Sequence, residues 1–203
     1  MTDNITTIRV LVAEDNALER STVVDLLGAL GYMVVAEVET GAEAIDKARQ
    51  FTPDAVLLDV HMPGAGGVQA AEEIAAALPG TAVLLITGDL SLQLSSAELM
   101  RSSAIALLAK PTPPSTLDAT IRLAVGRARE LLAARKEASD AKQQLEARKL
   151  IERAKGLLMR RTGSSEQEAY RIMQRSSQDR SVPMVDIARA VIDSEPGMSS
   201  SKA

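Results

Sequence analysis

The chain has 203 residues, of which 46% are hydrophobic and 25% charged, enough apolar content for a packed core and too much for wholesale disorder. The absence of cysteine and the single histidine, His61, exclude disulfides, thiol catalysis, cysteine-ligated zinc and multi-histidine metal sites, and only three aromatics (Tyr32, Phe51, Tyr170) argue against binding by rows of stacked rings. The net charge of −4 divides into −10 over 1–120 and +6 over 121–203, which predicts two modules, one suited to a cation and one to an anion such as nucleic acid.

MTDNITTIRV at the N-terminus lacks the basic-then-apolar pattern of a secretory signal. No apolar run reaches the roughly 20 residues of a membrane span, so a soluble, cytoplasmic protein with no membrane partner is expected. Five short apolar runs read as strands: Ile8–Ala13, Val34–Val38, Ala55–Asp59, Ala82–Thr87 and Ile105–Ala109. Near-continuous apolarity fits strands covered on both faces. Between them, 16–30, 40–51, 66–78 and 90–102 have helical period. Asn16 with Glu19, and Thr40 with Glu43, read as capping boxes, and Gly31 suits a left-handed helix end. Strands alternating with helices predict an α/β fold, a doubly wound five-stranded parallel sheet of flavodoxin-like order 2-1-3-4-5.

After Ala109 the strand signals stop. Pro113 and Pro114 suit a helix start, and no proline interrupts 115–161. A continuous helix there would be about 72 Å long at 1.5 Å per residue. The heptad series Leu131, Ala138, Leu145 continues into Glu152, and its companions are Ala128, Arg135, Lys142 and Lys149. That is a poor coiled-coil seam, so 126–148 is expected to be a helical linker, with weak or conditional pairing as the second reading. Leu150, Ile151, Ala154, Leu157 and Leu158 form an apolar stripe, and Gly163 ends that helix. Ser164 with Gln167 reads as a capping box for a helix burying Ala169, Tyr170 or Ile172, and Met173. Pro183 starts a third helix with Met184, Ile187, Ala188 and Val191 on one face. A small all-α three-helix bundle is therefore expected over 149–193, with 194–203 a disordered tail.

Ligands of a doubly wound sheet lie beyond the carboxyl ends of its strands. Strand 1 ends in Glu14 and Asp15, strand 3 in Asp59, strand 4 in Thr87 and strand 5 in Lys110. Three close carboxylates repel unless a hard cation such as Mg²⁺ joins them. Carboxylate, divalent metal, lysine and hydroxyl together describe a phosphoryl-acceptor site.

With LVAEDN, LLDVHMPGAGG around Asp59, ITG after strand 4, and Lys110-Pro111, residues 1–125 resemble the receiver domain of two-component response regulators. The resemblance implies that a sensor histidine kinase phosphorylates Asp59. It also implies that Asp15 and Asp59 bind Mg²⁺ with the backbone carbonyl of His61, that Glu14 supports the ion through water, and that Thr87 and Lys110 sense the phosphoryl group. The family's usual aromatic switch position holds Leu107 here. A phosphatase forming an aspartyl phosphate would want a second Asp where His61 stands, so no enzyme activity beyond self-phosphorylation and dephosphorylation is expected.

In the basic half, Lys149, Arg153 and Arg160 share one helix side, flanked by Lys155 and Arg161, while Arg171, Arg175 and Arg180 follow on the next helix. Such groups contact phosphates. Tyr170 reads as core by its spacing with Met173. ERAKGLLM, Ser165-Glu166, Glu168-Ala169-Tyr170 and DIARAVI resemble the ANTAR domain, an RNA-binding antitermination module. That resemblance implies a structured hairpin RNA partner, the transcription machinery indirectly, and Arg153, Lys155, Gly156, Arg160, Arg161, Arg175 and Arg180 as RNA-site positions. Gly156 stands mid-helix, where it costs about 1 kcal/mol relative to Ala unless a backbone must approach. The whole is expected to act as a phosphorylation-controlled antitermination regulator, with homodimerisation on phosphorylation as a further expectation. A DNA-binding regulator and a protein-interaction-only regulator are the alternatives.

Overall fold

The computed structural model describes residues 7–64, 66–89 and 101–194. In chain order the elements are β1 (Arg9–Ala13), α1 (Ala17–Ala29), β2 (Met33–Val38), α2 (Gly41–Phe51), β3 (Ala55–Asp59), α3 (Gly66–Ala77), β4 (Ala82–Thr87), β5 (Ala106–Ala109), α4 (Pro114–Thr162), α5 (Glu166–Arg180) and α6 (Met184–Asp193). All five strands join one parallel sheet in the order β2-β1-β3-β4-β5. The sheet and its order are those the apolar runs predict. The helix expected over 90–102 falls almost wholly on 90–100, outside the described residues, as do 195–203 of the expected tail.

Two compact units are present, Met1–Ala134 and Arg135–Ala203. In the first, alternate strand residues go to opposite faces of the sheet. Val10, Val12, Leu57 and Leu84 pack with Leu27 of α1 and with Leu117, Ile121, Ala124 and Val125 of α4. Leu11, Val56, Leu58, Val83 and Leu85 pack with Ala44, Ile45 and Ala48 of α2 and with Ala70, Ala71 and Ile74 of α3. Burial on both faces is complete only in the centre. β3 and β4 are buried throughout, whereas β2 and β5 are edge strands with Met33 and Leu107 exposed.

Local caps set the helix starts. Asn16 Oδ1 accepts from the Leu18 and Glu19 amides (3.0 and 3.2 Å), and Thr40 Oγ1 from the Glu43 amide (3.2 Å). Neither box closes as expected. The Glu19 carboxylate accepts from Lys110 instead, and that of Glu43 from the Glu39 amide. Gly31 has φ +85°, as a left-handed helix end requires.

Tyr32 ties the sheet layer to the start of α4. Its hydroxyl donates to Asp118 Oδ1 (2.7 Å), and the Arg122 guanidinium lies 5.9 Å from its ring centroid. Burial and then the hydrogen bond to Asp118 push its pKa up to about 12. The protonated phenol is therefore favoured by the fold. Its contribution is whole below the unfolded value near 10 and is lost as pH rises through 12. The stability advantage of the wild type over Tyr32→Phe is expected to be constant up to about pH 10 and to shrink above it. Urea midpoints of both proteins between pH 8 and 12 check this; a constant gap would refute it.

In the second unit, Ala154 and Leu157 of α4, Met173 of α5, and Ile187, Ala188 and Ile192 of α6 form a closed core. Leu150, Ile151, Leu158, Met184 and Val191 pack around it. Gly163 (φ +68°) ends α4. The capping box of α5 is Ser165 with Glu168, one residue beyond the expected Ser164 and Gln167. The Glu168 carboxylate accepts from both the amide and the hydroxyl of Ser165 (2.8 Å each), a stronger closure than a neutral amide gives. Among the described residues, no helix is long and apolar enough to cross a membrane.

Candidate functional site

Parallel pairing brings the strand ends to one crest. Asp59 pairs with Ile86, and Thr87 with Ala109. Beyond the strands, the Val60 amide donates to Ile86 O (2.9 Å) and the Lys110 amide to Thr87 O (2.7 Å). Glu14, Asp15 and Asp59 each offer a carboxylate oxygen within 4.8 Å of the others. Lys110 Nζ is the centre of the cluster. It donates to Asp59 Oδ1 (2.6 Å), to Glu19 Oε2 (2.8 Å) and to Glu14 Oε2. Asp59 Oδ2 accepts from the His61 amide (2.7 Å), and the Thr87 hydroxyl from the Asp89 amide (3.1 Å). Glu14, Asp59 and Thr87 are buried, whereas Asp15 and the His61 side chain reach solvent.

The electrostatics follow from this packing. Burial pushes the Glu14 carboxyl up, and neighbouring Asp59 adds to the shift while Lys110 opposes it. Burial alone would lower the Lys110 pKa, but its hydrogen bonds to Asp59, Glu14 and Glu19 outweigh it, so the ammonium is held more firmly than usual. Two buried carboxylates and an exposed one, all hard oxygen donors converging on one point, fit a small divalent cation.

Three contributors are missing from the sequence expectations. Glu19, read only as a capping residue, is the third partner of Lys110. Arg20 fixes the turn after β1, donating to Glu14 O (2.7 Å) and to Glu39 Oε1 (2.8 Å). Gly67 passes under the crest: a Cβ built there would lie 1.9 Å from Asp59 O. The GG of LLDVHMPGAGG is the signal that could have found it.

The basic candidates divide by burial. Arg153, Arg160, Arg161, Arg175 and Arg180 are exposed on α4 and α5, with Arg161 donating to Ser194 Oγ (3.0 Å). Lys155 is only 9% exposed and is clamped by Glu152 (2.6 Å) and Glu166 (2.7 Å). The pairing holds the Glu166 carboxyl below its usual value. A Cβ at Gly156 would meet only the flexible Arg160 Nη1, at 3.7 Å, so no helix contact requires glycine there. Tyr170 departs from expectation. It is 44% exposed, as is Ile172, because Ala169 and Met173 already fill the inward face of α5 and the two side chains fall to either side of it.

Comparisons with known proteins agree with this arrangement. The profile of the response regulator receiver domain matches residues 10–122, and that of the ANTAR domain matches 139–192, beginning within the segment expected to be linker. The transcriptional regulatory protein PdtaR of Mycobacterium tuberculosis is 40% identical over 186 residues, 91% of this chain and 89% of that protein. Among solved structures, the receiver domain of a modulated diguanylate cyclase from Desulfovibrio desulfuricans G20 has a TM-score of 0.54 at 29% identity, covering 61% of this chain and 97% of that one. The receiver domain of the sensor histidine kinase PA1611 from Pseudomonas aeruginosa, with magnesium coordinated in its active-site cleft, has a TM-score of 0.53 at 26% identity, covering 60% and 99%. A parallel sheet crested by an acidic cluster and a lysine, followed by a helical unit with exposed arginines, thus has matches in sequence for both parts, and the chain belongs to the response regulators that join a receiver domain to an ANTAR domain.

Proposed function

We propose that this chain is a phosphorylation-controlled RNA-binding regulator of transcription antitermination. The observation that carries the reading is the convergence of Asp59, Glu14, Asp15 and Lys110 on one crest. An oxygen of Asp59 attacks the phosphorus of a phosphohistidine on a sensor kinase, the P–N bond breaks, and an acyl phosphate forms. Glu14, Asp15 and Asp59, with the His61 carbonyl, would hold Mg²⁺, which would supply charge neutralisation during transfer. Lys110 exchanges its carboxylate partners for the phosphoryl oxygens, and Thr87 donates its hydroxyl to them. The same groups serve dephosphorylation.

Coupling to the output uses the chain's own continuity. α4 begins four residues after Lys110 and runs unbroken to Thr162. Leu107, 40% exposed on β5, offers no ring for an aromatic switch, so a helix entering the RNA-binding unit is the direct connection. Receiver residues 1–125, a helical connector over 126–148 and an RNA-binding unit over 149–193 divide the labour. The exposed Arg153, Arg160, Arg161, Arg175 and Arg180 contact phosphates of a hairpin RNA. Lys155 serves as a positioning residue, and Gly156 lets the RNA backbone approach. Paired chains are the phosphorylated form.

Filter binding of a stem-loop RNA to the full chain tests this, with and without kinase-driven phosphorylation and with duplex DNA as competitor. Phosphorylation is expected to raise RNA affinity in the wild type. Asp59→Ala is expected to take up no phosphate and to lose the stimulation while keeping basal, salt-sensitive binding. Undiminished stimulation in Asp59→Ala, or preference for duplex DNA, would overturn the proposal.

A further inference from the structure

The exposed surface of α5 carries uncharged groups as well as arginines. Gln167, Tyr170 and Gln174 follow one another at i, i+3 and i+7 on an exposed side of α5 clear of the buried Ala169 and Met173, with Arg171 beside them. With Lys155 and Glu166 they line an open cleft of about 590 Å³. Among the described residues, neither the Tyr170 hydroxyl nor the two glutamine amides have hydrogen-bond partners.

From this face we infer that the cleft receives one unpaired base of the RNA hairpin loop, stacked on Tyr170. The inference rests on the RNA-binding reading and extends it from phosphate contact to base recognition. A ring exposed on a basic unit offers a π-face for a nucleobase. Gln167 and Gln174 each present both a donor and an acceptor to a base edge. Arg171 borders this cleft and a second one shared with Arg175, so the phosphates flanking the extruded base find cations on the same side. The acidic wall does not repel the strand as a bare carboxylate would, because Glu166 is engaged by Lys155. Lys155 is then the positioning residue of this cleft rather than a phosphate ligand, since its ammonium is spent on Glu152 and Glu166.

Stacking and phosphate contact differ in their salt response, and that separates them. The probe is a synthetic stem-loop RNA with 2-aminopurine at successive unpaired loop positions, titrated with the full phosphorylated chain. At one loop position fluorescence is expected to quench on binding. Tyr170→Ala is expected to weaken binding roughly 5- to 150-fold, to abolish the quench, and to leave the slope of affinity against salt unchanged. Tyr170→Phe keeps the ring and is expected to behave as wild type. Arg175→Ala, by contrast, should lower the salt slope by about one. Because Tyr170 is exposed, its variants are expected to fold, which circular dichroism checks. Wild-type RNA binding that is equally strong in Tyr170→Ala would sink this inference alone. A wild type that binds no stem-loop RNA would sink the RNA-binding reading and this inference with it.

Discussion

Replacing Gly67 with alanine is expected to destabilise the first unit by about 3 kcal/mol, the upper end of the usual cost of overpacking. The new Cβ would lie 1.9 Å from Asp59 O and 2.8 Å from Asp59 C, distances at which one of them must move. The obstacle is backbone, so no flexible side chain can swing aside. It is also the backbone of the proposed phosphoacceptor, held on its other side by the Val60 amide on Ile86 and the His61 amide on Asp59 Oδ2. Strain therefore falls on the geometry of the crest. Thermal unfolding should come roughly 10 °C earlier, and phosphate uptake from a small acyl phosphate should drop even at temperatures where the variant is folded. Gly66→Ala makes an informative control: its added Cβ would meet only Val60 O, at 3.9 Å, although its φ of +60° carries a strain of its own. A Gly67→Ala protein as stable and as readily phosphorylated as wild type would show that α3 does not buttress Asp59.

Sheet order and the central strands are legible because β3 and β4 are apolar at every position before their terminal polar residue, a pattern only a doubly covered strand needs. The polar residues at strand ends are legible for the same reason: where an apolar run stops marks the crest. Long-range partners are not legible. Glu19 satisfies a local capping pattern perfectly well, yet its carboxylate goes to Lys110, 91 residues away, because an ammonium is a stronger donor than a neutral amide. Lys155 looks like one more cation in a basic run, and only the fold shows it buried between two carboxylates. Tyr170 and Ile172 compete with Ala169 and Met173 for one inward face. A helix of 15 residues in so small a bundle has room for a narrow stripe, and the smaller alanine allows the closer approach. The one-residue slip from Ser164 to Ser165 has a similar origin, since each serine is followed three positions later by a side chain able to close a box.

Removing the ammonium of Lys110 is the complementary experiment. In Lys110→Met the Glu14 and Asp59 side chains, 4% and 6% exposed, would face each other with no counter-charge. Breaking a buried ion pair by deleting one partner costs about 3–5 kcal/mol, and the lower figure applies because Lys110 itself reaches solvent. Without divalent cations the variant is therefore expected to lose about 3 kcal/mol of stability. Magnesium should reverse much of that loss. Lys110 and a cation at Glu14, Asp15 and Asp59 share two carboxylates, Glu14 and Asp59, so deleting the ammonium removes a competitor and tightens cation binding. Since a ligand stabilises the folded state by RT ln(1 + [L]/Kd), the gain in denaturation midpoint on adding millimolar Mg²⁺ should be larger in Lys110→Met than in wild type. Asp15→Asn, at the exposed carboxylate of the cluster, should reduce that gain in both backgrounds while costing little stability by itself, because its carboxylate is not buried. Equal magnesium increments in wild type and Lys110→Met would mean that the ion binds elsewhere, and the crest would then be a closed ion-pair cluster instead of a metal-assisted phosphoacceptor.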